Sequence, residues 1–200
     1  MMIETSLWVY WLFCLLAMIL VISNRKYIYS LLSPDSESSQ DKGYVIFMIL
    51  GWLVTLAVSI AYVLFTRKYE TGSYNISNLI TFSILNGILE QFMFIFWFLL
   101  GCYVAIKITP SKPKLTFTFG YISYAIFSGL IHALFWVQVL PSHKPVTVIM
   151  ALGLGTMSLI WMWLAWRHRA IMAIIAMHIV IDFITVGHLN FAWFEPFQLI

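Results

Sequence analysis

Glu90, His132, His178 and Asp182 stand inside apolar runs, "NGILEQFMF", "FSGLIHALF" and "AMHIVIDFI". An ionisable group near the centre of a bilayer costs at least ~2.5–3.5 kcal/mol, so it normally turns to the bundle interior and takes a partner there. Two imidazoles and two carboxylates in a dry cleft have the parts needed to activate water. Glu90 can act as general base while a histidine and Asp182 orient groups or donate hydrogen bonds to a developing oxyanion. Two other chemistries use the same side chains. His132, His178 and Glu90 form a two-His, one-carboxylate set suited to catalytic zinc, although the H-E-x-x-H helix motif is absent. His132 and His178 alone could ligate a haem from two sides.

These residues sit at helical intervals. Ser83, Asn86 and Glu90 follow i, i+3, i+7, with Gln91 beside them, and Tyr121, Tyr124, Ser128 and His132 share another stripe. His178, Asp182 and Thr185 share a third. Three polar stripes in lipid-compatible sequence are expected to converge. With 1.5 Å of rise per residue, Glu90 and His132 each fall ~6 Å outward of mid-span, with His178 near the middle and Asp182 a turn further out. His188 reads as interfacial. "GLGTMS" at 153–158, with Gly51, Thr55 and Ser59, reads as close helix packing.

The elements that must carry these stripes follow from composition. The 200 residues are 62% hydrophobic and 10% charged, with a mean hydropathy of +0.92, which specifies an integral membrane protein. At ~20 apolar residues per crossing, six spans fit, near 6–23, 44–65, 78–106, 116–139, 145–166 and 170–188. The fold class is therefore all-α, a polytopic transmembrane bundle of about six helices. Residues 1–77 supply two N-terminal helices and a polar loop, 78–188 a four-helix core, and 189–200 a short tail. The third span is overlong and is expected to tilt or to begin as an interfacial turn around "NISNLITF".

No basic residue precedes the first apolar run and Arg25-Lys26 follows it, the reverse of a signal peptide, so the run is read as an uncleaved span. Putting the first, third and fifth loops in the cytoplasm places eight of the eleven Lys and Arg residues inside, and hence both termini outside. The segments at 33–42 and 107–116 read as loops, and Asn75-Ile76-Ser77 matches a glycosylation sequon. Cys14 and Cys102 both lie in spans, which suggests neither a disulfide framework nor a thiol metal site. No basic cluster with interleaved aromatics indicates nucleic acid, and no P-loop or dinucleotide fingerprint is present. The expected partner is the lipid bilayer.

The order of the polar motifs resembles that of the CAAX protease and bacteriocin-processing (CPBP, or ABI) family of intramembrane glutamic proteases. Its motifs run E-E-x-x-x-R, F-x-x-x-H and H-x-x-x-N/D, and they match "EQFMFI" at 90–95, "SGLIH" at 128–132 and "HIVID" at 178–182. The likeness covers about 78–188. It implies a four-helix core and an intramembrane endopeptidase with no cofactor, acting on a prenylated-protein or bacteriocin-type peptide substrate. By the resemblance, Glu90 activates water, His132 helps position it, and His178 with Asp182 stabilises the oxyanion. Asn86, Gln91 and Ser128 are supporting polar residues. Gln91 replaces the second glutamate, Ile95 the arginine and Ser128 the phenylalanine. An ionised Asp182 would repel an oxyanion, so it serves there protonated or instead orients His178. A catalytically impaired member, acting in immunity or as a scaffold, is the alternative.

Overall fold

A computed structural model of the chain describes residues 2–32, 42–66, 76–109, 112–139 and 141–186. His188, Asn75 of the sequon, the tail at 189–200 and nearly all of the 33–42 connection lie outside the described residues. The elements are α1 (Met2–Ser23), α2 (Arg25–Leu31), α3 (Lys42–Thr66), α4 (Ile76–Ile108), α5 (Pro113–Leu134), α6 (Thr147–His168) and α7 (Ile171–Val186). A π-helical turn at Phe135–Val139 and a 3-10 segment at Pro141–Val146 link α5 to α6. The protein is an all-helical bundle, with no strand among the described residues.

Helices α3, α4, α5 and α6 are each long and apolar enough to cross a membrane, which makes the lipid bilayer their environment. The first expected span ends in a break, where α2 turns away from α1 by 83°. The sixth is α7, whose 16 residues cover only about 24 Å at 1.5 Å each. Helix α4 runs unbroken for 33 residues from Ile76, so residues 76–82 of "NISNLITF" belong to the helix and form no separate interfacial turn. Pro113 opens α5 at a position where its missing N–H has no helical acceptor to lose.

Helix α4 is the axis of the bundle, packed against α1, α5 and α7, while α7 also meets α3 and α3 meets α6. Small residues allow these approaches. A Cβ on Gly87 would lie 2.8 Å from the Ile179 backbone nitrogen, and one on Gly101 would overlap the Phe119 carbonyl oxygen. Backbones this close maximise dispersion where no hydrophobic effect drives helices together. Gly51 lies equally close to Met177 and Leu164, and Thr55 and Ser59 are fully buried. The small residues of α3 therefore pack closely, as expected. Phe94, Phe98, Trp161, Met162, Leu164 and Met177 fill the centre. Leu12, Phe13, Leu53 and Ile126, by contrast, turn outward as lipid-facing side chains would.

One end of the bundle is basic. Arg169 lies over the Tyr29 ring at 5.1 Å, Tyr27 meets Tyr103 edge-on, and Lys107 sits over Tyr103. These contacts join α2, the C-terminal end of α4 and the α6–α7 turn. Arg169 closes α6 in a left-handed conformation, its N–H on the Ala165 carbonyl.

Candidate functional site

Most hydroxyls in the helices are satisfied locally. Thr55, Ser59, Ser83 and Thr185 each donate to the carbonyl four residues earlier, which settles a Ser or Thr in an apolar helix without a neighbour. Carboxylates, amides and imidazoles cannot all be paired in that way. Asn86, Glu90, Gln91, His178 and Asp182 are all buried, and they find one another.

Spacing and close approach together build this cluster. Asn86 and Glu90 lie one turn apart on α4, as His178 and Asp182 do on α7, and Gly87 lets the two helices meet between them. Asn86 Nδ2 donates to Glu90 Oε2 at 2.9 Å and to Asp182 Oδ2 at 3.0 Å. His178 Nε2 stands 3.4 Å from Glu90 Oε2 and 3.8 Å from Asp182 Oδ1. On its other side, His178 Nδ1 pairs with Gln91 Oε1 at 3.0 Å. A carboxamide oxygen only accepts, so Nδ1 carries a hydrogen. Nε2 then faces two carboxyl groups, an arrangement that needs a shared proton among the three. No lysine or arginine pairs with either carboxyl group among the described residues. The Gln91 Nε2 group is buried without a hydrogen-bond partner.

Two further members come from α1. Tyr10 donates its hydroxyl to Glu90 Oε1 at 2.5 Å, and Trp11 donates its indole N–H to Asn86 Oδ1 at 2.9 Å. Neither is marked as a site residue by the sequence. The first span reads as generic apolar helix, and Tyr or Trp near a span end passes for an interfacial anchor.

The α5 stripe does not join the cluster by hydrogen bonds. His132 Nδ1 pairs with the Ser128 carbonyl at 2.8 Å and lies 3.4 Å from the Ser128 hydroxyl. Tyr121, on the same helix, donates to the Gly155 carbonyl and so ties α5 to α6. Phe94 is the link between His132 and the cluster: its ring stacks on His178 at 5.7 Å and tilts against His132 at 6.0 Å. Of the seven residues singled out from sequence, five converge, while His132 and Ser128 stand beside them behind an aromatic ring.

Among the described residues no three His, Cys, Asp or Glu side chains are grouped so as to hold a metal ion. The set His132, His178 and Glu90 is therefore not assembled as a zinc site. Cys14 and Cys102 are buried, free thiols. Ile95, where the resembled motif carries arginine, is buried in the apolar core.

The arrangement can hold, accept and return a proton. Glu90 and Asp182 keep slight exposure, at 8% each, so the cluster is at the edge of the packed interior and not sealed within it. No family model matches the chain, and no curated protein or solved structure matches it.

Proposed function

We propose that this chain is an intramembrane endopeptidase in which Glu90 activates a water molecule to hydrolyse a membrane-associated peptide or protein. The observation that supports it best is the Glu90–His178 pair, a carboxylate 3.4 Å from an imidazole inside an apolar bundle. Glu90 takes the proton of the attacking water, and His178 stabilises the charge that develops on the carbonyl oxygen. Asp182, on the same imidazole, orients it. The resemblance to the CAAX protease and bacteriocin-processing family, in the order of its three motifs with the third one intact, favours a prenylated-protein or bacteriocin-type substrate. The excess of Lys and Arg at one end of the bundle favours a cell-membrane protein with both termini outside. Labelling from outside of a cysteine introduced at 33–42 would reverse that orientation.

The test compares wild type with Glu90→Ala, His178→Ala and His132→Ala, reconstituted in liposomes, against a library of candidate peptides. Removing Glu90 or His178 is expected to abolish cleavage. Removing His132, which makes no hydrogen bond to the cluster, is expected to cost less. Cleavage that survives in all three variants would end the peptidase reading.

A second reading is a catalytically silent membrane scaffold or immunity factor. It is favoured by a specific observation: both oxygens of Glu90 are already engaged, by Tyr10 and by Asn86. A biological phenotype that survives Glu90→Ala at normal protein levels would select it.

A further inference from the structure

We propose that the side-chain amide of Asn86 is a second hydrogen-bond donor to the oxyanion, beside His178, and that Trp11 is the positioning residue that fixes it for this role. The inference rests on the peptidase reading above.

An amide can ordinarily present either its oxygen or its nitrogen to a site. Here the choice is made by Trp11, whose indole N–H is donor only and lies 2.9 Å from Asn86 Oδ1. With its oxygen held by α1, Asn86 must aim its NH2 group at the carboxyl groups. Nδ2 is 2.9 Å from Glu90 Oε2 and 3.0 Å from Asp182 Oδ2, so both of its hydrogens are in use at rest. The other nearby donors besides His178 are less well placed. Tyr10 is on Glu90 Oε1. Gln91, its oxygen held by His178 Nδ1, keeps an unpartnered NH2 group, but at 0% exposure it lies deeper than Asn86 at 7% and away from an entering peptide. Asp182 has no hydrogen to offer as a carboxylate.

The reaction releases the donor when it is needed. As the water oxygen bonds to the peptide carbonyl carbon, the water proton passes to Glu90 Oε2 and the carbonyl π pair moves onto oxygen. A protonated Glu90 holds Asn86 less strongly than a carboxylate does, and the freed N–H turns to the new oxyanion. On collapse the C–N bond breaks and Glu90 returns its proton to the leaving nitrogen. Peptide and water become acid and amine, with no other reactant. A neutral amide does here what a carboxylate at position 182 cannot.

The experiment measures kcat and KM in liposomes, on the peptide that wild type cleaves, for Asn86→Ala and Trp11→Phe. For Asn86→Ala, kcat is expected to fall about 100- to 1000-fold with KM within about threefold, since an oxyanion donor acts on the transition state. Trp11→Phe keeps an aromatic ring against Phe82 and Trp8 but frees the amide to turn, and is expected to lose about tenfold in kcat with KM within about threefold, beside a lower melting temperature from the lost hydrogen bond. Asn86→Ala with kcat within about threefold of wild type, or a loss confined to KM, would overturn the proposal. If Asn86→Ala fails to fold, Trp11→Phe decides, and an unchanged kcat there overturns it. Wild type and Glu90→Gln cleaving alike would remove the peptidase reading, and this inference with it. An inactive Glu90→Gln beside a fully active Asn86→Ala would remove this inference alone.

Discussion

Replacing Gly87 by alanine tests whether the close approach of α4 and α7 is what assembles the site. The added Cβ would meet Ile179 Cγ1 at 2.7 Å, the Ile179 nitrogen at 2.8 Å and its Cα at 2.9 Å. A side-chain atom can rotate away, but the backbone atoms cannot. Restoring ordinary contact with that nitrogen, near 3.4 Å, means opening the interface by about 0.6 Å, an overpacking strain of about 1–3 kcal/mol. His178 is the residue before Ile179 and moves with it. Its 3.4 Å approach to Glu90 would lengthen to about 4 Å, and the Asn86–Asp182 bond, now 3.0 Å, would stretch past hydrogen-bond range. Gly87→Ala should therefore melt earlier in detergent and lose on the order of 100-fold in peptide cleavage. Gly129→Ala is the control, because nothing lies within 4 Å of a Cβ there. Its melting temperature should be unchanged or higher, since alanine is up to ~1 kcal/mol better than glycine in a helix. A Gly87→Ala protein indistinguishable from the Gly129→Ala control would mean that the close approach at Gly87 does not assemble the site.

Tyr10→Phe removes one hydrogen bond to Glu90 and keeps the ring. It should cost about 1–2 kcal/mol in detergent unfolding, and no loss of stability would show that α1 is not anchored to the site through the phenol. Asp182→Asn removes one of two carboxyl groups that share the Asn86 amide. At ~5 Å and an effective dielectric near 20, two such charges repel by on the order of 3 kcal/mol, so stability should rise by about 1 kcal/mol after allowance for His178. A loss of that size would mean that the attraction of His178 and Asn86 for Asp182 outweighs its repulsion from Glu90.

How much was legible in the sequence follows from what spacing can carry. Asn86 with Glu90, and His178 with Asp182, are one-turn pairs, and that periodicity fixes which residues share a helix face. It also predicted the convergence of those two faces correctly. It could not fix the rotation of α5 about its own axis. Tyr121 is drawn to the Gly155 carbonyl, and Phe94, an unremarkable core aromatic in sequence, lies against both imidazoles. The part played by α1 was invisible for a different reason. Tyr10 and Trp11 bond residues 80 and 75 positions away, and such contacts leave no local pattern. Nor does an apolar run reveal a sharp bend: Arg25–Leu31 forms a helix turned 83° from α1, burying Ile28 and Leu31, where the sequence suggested only the end of a span. The unbroken course of α4 through residues 76–82 reflects adequate helix propensity across Ser77 and Asn78, which needs no interfacial break.

The most direct test of the central claim is cleavage of one reconstituted peptide by wild type and by Glu90→Gln, compared at equal protein amount and equal thermal stability. Glutamine keeps the shape and an acceptor oxygen but cannot take a proton from water. Wild type is expected to cleave and Glu90→Gln is not. Equal cleavage by the two would contradict that claim.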